Sequence, residues 1–252
     1  MIQKTRTVVL VCGLILGVSQ GAALGQEDLL GRWFVNVNVG LQAPGRDLQE
    51  NGSFPLYDEM LTFTGTRKVG AAPVIDALAG IHVTGSFALG IGYGRMSKKS
   101  DVPVTASIPH PVFVGRPRTV SGVLNGLKRT EDAIHFDAMW RVVLLEGVDF
   151  KIGAGPTFFR VSETAPNTVT VTEAGAPFEN VTIAFGNGKR RKNGVGYNIV
   201  GDLTYLITER LGAGVMLRYT GGKIELPLPG GGSRSKNGVG GLQFGLGGRL
   251  RF

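Results

Sequence analysis

The residues best suited to chemistry in this chain are charged side chains inserted into otherwise apolar, alternating segments. Counted in steps of two, they fall on the face that carries glycines and asparagines, opposite the aliphatic and aromatic residues. Charged groups on an enclosed face must be paired or hydrogen-bonded. The set therefore predicts either a filled interior of ion pairs or a narrow, charge-lined pore that favours anions. Its members are Asp76, Asp137, Arg141, Lys151, Asp202, Arg218 and Arg249.

Patterns for nucleophilic or metal chemistry are weak by comparison. His110 lies close to Ser107, and His135 lies two positions before Asp137, but neither pair supplies a nucleophile, a base and an orienting group. Cys12 is the single cysteine and the three histidines are far apart, so the sequence predicts no metal site. We expect no cofactor and no enzymatic activity.

The first 25 residues have the organisation of a secretory signal peptide. Two basic residues precede an apolar run at 8–18, and Ala23 and Gly25 are the small residues that a signal peptidase reads. The run is shorter than the ~20 residues of a membrane-spanning helix. We therefore predict Sec-type export, cleavage after Gly25, and a single mature domain at residues 26–252.

The mature sequence contains eight segments with the two-residue alternation of β-strands. Connections of three or four residues join three pairs of them, which is typical of hairpins. Much longer stretches rich in Pro, Gly, Ser and charge separate the pairs, and one of them contains the strand-like run LTFTGT at 61–66. The predicted strands are 32–42, 74–83, 87–96, 133–145, 149–161, 194–206, 211–220 and 242–252. The predicted long loops are 43–72, 97–132, 162–193 and 221–238.

The last predicted strand carries a more specific signal. Phe252, Leu250, Leu246 and Phe244 occupy alternate positions that end on the C-terminal phenylalanine. This ending resembles the insertion signal of bacterial outer-membrane β-barrels, which the barrel-insertion machinery reads. The whole mature chain is similar to the eight-stranded membrane domain of outer-membrane protein A. The resemblance implies an all-β, eight-stranded antiparallel transmembrane up-and-down β-barrel in the outer membrane, with short periplasmic turns and four long extracellular loops.

Basic residues concentrate where the resemblance places the extracellular rim. One interpretation is a solvated loop surface, and the other is contact with phosphates of outer-membrane lipids, lipopolysaccharide included. We expect no nucleic-acid partner at this location. The candidate phosphate contacts are Lys189, Arg190, Arg191, Lys192, Arg95 and Arg160, and Arg116, Arg118, Lys128 and Arg129 add to the basic rim.

The function stays open at this level, because unrelated activities use the same scaffold. We expect a monomeric barrel with a structural or surface-binding role. A narrow passive channel for small polar or anionic solutes is the alternative, and a lipid-modifying enzyme is the third hypothesis. An open lumen would favour the channel, and a preformed Ser and His pair would favour the enzyme.

Overall fold

The computed structural model describes residues 32–43, 47–68, 70–227 and 234–252, and the predicted signal peptide at 1–25 lies outside this part of the chain. Within these residues the regular structure is entirely β-strand, and no helix is long and apolar enough to cross a bilayer. The strands are β1 (Trp33–Gln42), β2 (Leu48–Leu56), β3 (Glu59–Arg67), β4 (Ala72–His82), β5 (Phe87–Ile108), β6 (Arg118–Leu145), β7 (Val148–Glu173), β8 (Val181–Leu206), β9 (Leu211–Pro227) and β10 (Arg234–Arg251).

Eight of these strands close into a ring in the order β1-β4-β5-β6-β7-β8-β9-β10, with every neighbour antiparallel. β1 and β10 complete the closure, with a register that runs from Phe34 opposite Arg251 to Gln42 opposite Gln243. A closed ring leaves no unpaired strand edge, as a bilayer requires. The predicted all-β, eight-stranded antiparallel barrel is confirmed.

The two faces of the ring are inverted relative to a water-soluble barrel. Val39 and Leu246 point outward and are 63% and 52% exposed, whereas Asn38 and Asp76 point inward and are 2% and 1% exposed. Outward aromatic side chains stand near both ends of this aliphatic belt, as interfacial girdles do. Trp33, Trp140 and Tyr205 lie at the end with the tight turns, and Tyr93, Phe158, Tyr197 and Tyr219 lie at the other.

The long connections contain more strand than the sequence predicts. β5 continues to Ile108, β6 already begins at Arg118, and β7 and β8 extend to Glu173 and from Val181. The stretches 97–132 and 162–193 are therefore largely β-hairpin rather than irregular loop. The run LTFTGT belongs to β3, which pairs with β2 on one side and with β5 on the other.

These extensions form a second folded region beyond the ring, which we call the cap and define as residues 48–67, 99–127 and 164–189. The four-stranded sheet β2-β3-β5-β6 packs its apolar face against the β7-β8 hairpin, with the Phe63 and Phe185 ring centroids 5.1 Å apart. The cap therefore has a conventional apolar interior. Its buried core contains Phe54, Leu61, Phe63, Val102, Val104, Ala106, Ile108, Leu124 and Leu127.

Candidate functional site

The centre of the lumen holds a buried arginine between two aspartates. Arg218 on β9 lies with Nη1 2.8 Å from Oδ2 of Asp76 on β4, and with Nη2 3.5 Å from Oδ2 of Asp137 on β6. All three side chains are at most 2% exposed. Each has the inward parity of its own strand, so strand alternation alone brings them to one point.

A second ion pair is hydrogen-bonded to the first. Arg249 on β10 forms a bidentate pair with Asp202 on β8, with Nη2–Oδ2 at 2.6 Å and Nε–Oδ1 at 3.2 Å. Nη1 of Arg249 also donates to Oδ1 of Asn38 at 2.8 Å, and Nδ2 of Asn38 donates to Asp76 at 3.2 Å. One polar network therefore connects opposite walls of the lumen, and its geometry favours a fixed interior.

At the end with the tight turns, Asp149 pairs with both Arg141 and Arg251. Nζ of Lys151 lies 4.2 Å from the centroid of the Phe34 ring, a cation–π contact. Asp149 is absent from the residues that the sequence predicts for the lumen, because it directly follows a turn. Asp149 shares the inward parity of Lys151 on β7, which is the sequence signal that could have placed it in the lumen, and in the structure it is 2% exposed.

Apolar side chains occupy the lumen between and above these charges. Phe34, Leu78, Ala88 and Met139 form one buried cluster, and a second cluster lies nearer the cap. An eight-stranded barrel is just wide enough for side chains to fill it. A cavity of about 500 Å³ lies on the outer surface of the cap. The second cluster contains Ala133, Phe159, Val161, Ile224 and Val239, and the cavity is lined by Gln49, Thr64, Gly65, Thr66, Pro103, Val104, Thr105, Ser121, Gly122 and Val123.

A buried charge layer, which we call the rim network, lies where the ring meets the cap. Arg67 on β3 pairs with Glu50 on β2 at 2.8 Å and with Glu163 on β7 at 2.7 Å. Arg129 and Glu131, both on β6, pair at 2.6 Å. Burial raises the pKa of the Glu50 carboxyl above its usual value, although the Arg67 guanidinium opposes that shift. These charges join the hairpin β2-β3 to the ring.

Three of the basic residues predicted for the rim are ion-paired in the structure. Arg190 points inward, where its Nη2 lies 3.5 Å from Glu163, because it alternates with its outward neighbours Lys189 and Arg191. This corrects its assignment as a candidate phosphate contact. Arg129 is buried in the rim network, and the Arg118 side chain is 9% exposed and paired.

Arg118 is the centre of a contact set that joins three connections at the far end of the cap, which we call the tip (residues 57–60, 109–118 and 173–180). Its guanidinium is bidentate on Glu173, at 2.6 and 2.8 Å, and donates to the carbonyl oxygens of Phe178 and Pro109. This hydrogen bonding lowers the pKa of the Glu173 carboxyl. The hydroxyl of Tyr57 donates to the same carboxylate at 3.2 Å. The tip is therefore held as one surface.

The other candidate phosphate contacts lie on the exterior. Arg95 and Arg160 point outward two residues beyond the aromatic girdle, and Lys189 and Arg191 point outward further along β8. Lys192 has inward parity but is exposed, in a part of β8 that β9 does not pair with.

The residues of the predicted insertion signal face the exterior of β10. Phe244, Leu246 and Phe252 are about half exposed, and Leu250 on the same face lies opposite Val35. Their recognition by the insertion machinery stays a prediction.

The histidines are engaged in local contacts. Nδ1 of His110 accepts the backbone N–H groups of Val112 and Phe113, and Nδ1 of His135 lies 2.9 Å from the Thr157 hydroxyl. Across the described residues, no group of three or more His, Cys, Asp or Glu side chains could hold a metal ion.

Three properties of the described chain decide its class: a closed antiparallel ring, an aliphatic exterior between aromatic girdles, and a polar, filled lumen. This is the fold of a bacterial outer-membrane β-barrel. No protein-family model matches the sequence, and no curated protein matches it.

Solved structures of similar fold have little sequence in common with this barrel. Neisserial surface protein A is 12% identical with a TM-score of 0.47, and the match covers 87% of this chain and 97% of that one. The outer membrane protein OprG from Pseudomonas aeruginosa is 9% identical with a TM-score of 0.46, and the match covers 88% of this chain and 96% of that one. The outer membrane protease OmpT from Escherichia coli is 9% identical with a TM-score of 0.47, and the match covers 89% of this chain and 98% of that one.

Proposed function

We propose that this protein is a closed outer-membrane barrel with a structural and surface-binding role, and that the cap is its binding part. The observation that carries the proposal is the filled lumen, in which Arg218 and Arg249 are paired with Asp76, Asp137 and Asp202. Opening a passage would separate these buried pairs. Separation would exchange these short ion-pair contacts for contacts with water, so the paired geometry favours the closed lumen.

The cap provides what a binding surface needs. Its tip stands ~35–40 Å beyond the outer aromatic girdle, from the ~3.3 Å rise per residue of β5 between Tyr93 and Ile108 and a strand tilt of about 40°. Val112, Phe113 and Val114 are exposed side by side there, by 61%, 51% and 84%. Consecutive exposed apolar residues on a rigid support are typical of a contact surface that is organised before its partner arrives.

The remaining features are consistent with a non-enzymatic, monomeric membrane protein. Export with cleavage after Gly25 and insertion through the signal at Phe244, Leu246, Leu250 and Phe252 would place the ring in the outer membrane. Outer-membrane lipids, lipopolysaccharide included, would surround it, and no nucleic acid or cofactor is needed. Neither His110 nor His135 has a serine partner among its hydrogen bonds in the described residues, which gives a lipid-modifying activity no support.

Single-channel recording tests the closed lumen. Refolded mature protein, residues 26–252, is incorporated into planar bilayers, beside Arg141→Ala, Asp137→Ala and the triple variant Asp76→Ala/Asp137→Ala/Arg218→Ala. We expect no steps from the unaltered barrel and none from the variants, because the cluster of Phe34 and Met139 and the pair of Arg249 with Asp202 still fill the lumen. Reproducible anion-selective steps from the unaltered protein, altered by Arg141→Ala or Asp137→Ala, would replace this proposal with the channel.

A further inference from the structure

Cations on the outer face of β5 to β8 are arranged in cross-strand rows. Lys99 on β5 lies directly opposite Lys128 on β6. Lys189 on β8 lies opposite Thr164 on β7, one position beyond Arg129 and Glu163, the last pair that joins β6 to β7. Like charges directly opposite each other on neighbouring strands destabilise a sheet. A row of three lysines without an acid is therefore an arrangement that an anion would stabilise.

A second row lies four residues nearer the membrane. It contains Arg95, Asp132, Arg160 and Asn193 on the same four strands, and Arg191 lies between the two rows. At ~3.3 Å per residue the rows are ~13 Å apart. We call the six cations the basic patch. They are Lys99, Lys128, Lys189, Arg191, Arg95 and Arg160, all outward and exposed.

Few acids compensate the basic patch. Asp132 is the acid of the second row, and its Oδ1 lies 3.7 Å from Nη1 of Arg95 and 2.7 Å from the hydroxyl of Tyr93. Asp101, an exposed acid two residues beyond Lys99, accepts the backbone N–H of Gly126 at 2.6 Å. The other neighbouring acids, Glu131 and Glu163, point inward into the rim network. The described patch therefore carries a substantial excess of positive charge on one outer face.

Its height identifies the environment of this charge. Tyr93 and Phe158 are outward, in one cross-strand row with Ile134, and the second basic row begins two residues beyond them. Aromatic girdles mark the boundary between hydrocarbon and headgroups, so the patch begins at headgroup depth and extends outward. On β9, the strand next to β8, Lys223 and Glu225 are exposed at a similar height and carry opposite charges.

We propose that the basic patch binds a glycolipid of the outer leaflet that carries two phosphates at opposite ends of its sugar headgroup. The inference rests on the proposed function, because it requires the ring to sit in the outer membrane. Two rows ~13 Å apart fit two separated phosphates better than one. Lysines supply point charges at the upper row and arginines can bind phosphate in a bidentate manner at the lower one. A single phosphodiester would leave one row unneutralised.

Lipid-binding measurements on matched variants test this assignment. The upper-row variant is Lys99→Gln/Lys128→Gln/Lys189→Gln, and the lower-row variant is Arg95→Gln/Arg160→Gln. The control is Lys68→Gln/Arg116→Gln/Arg210→Gln, which removes three exposed cations away from the patch. Each protein is refolded into neutral phosphatidylcholine nanodiscs. Native mass spectrometry then counts bound bis-phosphorylated lipid A, its mono-phosphorylated form, and phosphatidylglycerol.

We expect the unaltered protein to bind the bis-phosphorylated glycolipid about tenfold more tightly than either mono-phosphorylated lipid, and each row variant to lose about tenfold. The control should stay within about twofold of the unaltered protein. Equal binding of all three lipids, or full binding by both row variants, would overturn the proposal.

A separate readout distinguishes this outcome from a failure of the barrel itself. Folded membrane barrels migrate differently on a denaturing gel before and after boiling, so each sample is checked in this way first. Absence of any shift in the unaltered protein would refute the outer-membrane barrel. A normal shift together with lipid binding that is indifferent to the patch would refute the site alone.

Discussion

The ring and the cap share continuous strands, but the ring has its apolar face outside and the cap has its apolar face inside. On β5, the inward positions of the ring carry Gly90, Gly92 and Gly94, whereas the inward positions of the cap carry Val104 and Ala106. The outward residues change in the opposite direction, from Ile91 and Tyr93 to Thr105. Lipid outside the ring selects apolar residues there, and water outside the cap selects polar ones.

The rim network and the basic patch lie at the height where this change occurs. Glu163 is inside at this height and Lys189 is outside, one position from the inward Arg190 that pairs with Glu163. Both faces of the strands carry charged residues at this level. In the ring the outer face is apolar, and in the cap the inner face is apolar. A single strand thus passes from lipid to water through a short charged zone.

The largest effect should come from removing the cation at the centre of the lumen. Arg218→Met leaves Asp76 and Asp137 buried without their arginine, and we expect the barrel to lose about 3–5 kcal/mol of its free energy of unfolding. Urea unfolding in lipid vesicles, followed by the fluorescence of Trp33 and Trp140, measures it. The triple variant Arg218→Met/Asp76→Asn/Asp137→Asn should recover most of the loss. A cost below about 1 kcal/mol for Arg218→Met would contradict the paired lumen.

The apolar core of the cap provides the complementary test. Leu61→Ala should cost about 3 kcal/mol, because it deletes a buried side chain between two packed sheets. Its effect should be confined to the cap, with hydrogen exchange accelerated in β2 and β3 and unchanged in the ring. Val123→Ala, at an exposed outward position of the same sheet, should have little effect. Equal costs for the two substitutions would refute an apolar interior for the cap.

A smaller effect is expected at the tip. Arg118→Ala removes the bidentate pair with Glu173 and two backbone hydrogen bonds, and should cost about 1–3 kcal/mol because hydrogen bonds to charged groups are involved. Protease cleavage near residues 109–117 should become faster. Arg116→Ala removes a neighbouring exposed arginine and serves as the control. If cleavage is unchanged in Arg118→Ala, the three connections are not held together by this residue.

The smallest effect concerns pH and distinguishes two carboxyl groups. The pKa of Glu50 is raised by burial, so the folded cap binds its proton more readily than the unfolded chain, and this contribution stabilises the cap as pH falls towards that raised pKa. The pKa of Glu173 is lowered by Arg118, so its contribution is present above its ordinary pKa and is lost as pH falls through the lowered value. Protection factors of the β2 amides, which are corrected for the pH dependence of intrinsic exchange, should rise from pH 7 to 5 in the unaltered protein and lose that trend in Glu50→Gln. An unchanged trend in the variant would assign it to another group.

The two-residue alternation of apolar and polar residues predicted the strands of the ring well, because it shows for each strand separately which side chains face inward. Asp76 and Arg218 can be assigned to the lumen without knowing that they touch, since parity alone puts each of them inside. The pairs of the rim network could not be found in this way. Glu50 and Glu163 meet through Arg67, and nothing local indicates a contact across such separations.

The strand extensions were missed for a different reason. Pro103, Pro166 and Gly188 interrupt the pattern and are ordinary turn residues, so 97–132 and 162–193 resembled loops. In the structure Pro103 is exposed, and register shifts lie close to both prolines, between Ser100 and Val102 and between Pro166 and Thr168. Bulges of this kind tolerate proline within a hairpin.

The continuity of β7 and β8 from the tight turn at one end of the ring to the tip has a mechanical consequence. The two strands pair antiparallel from Val148 opposite Tyr205 to Glu173 opposite Val181, with one register shift between Pro166 and Thr168. A pull on the tip is directed along both strands of this hairpin, so it loads in shear the ladders that join the hairpin to β6 and β9. A cell tethered through this surface would therefore transmit tension into the wall of its own barrel.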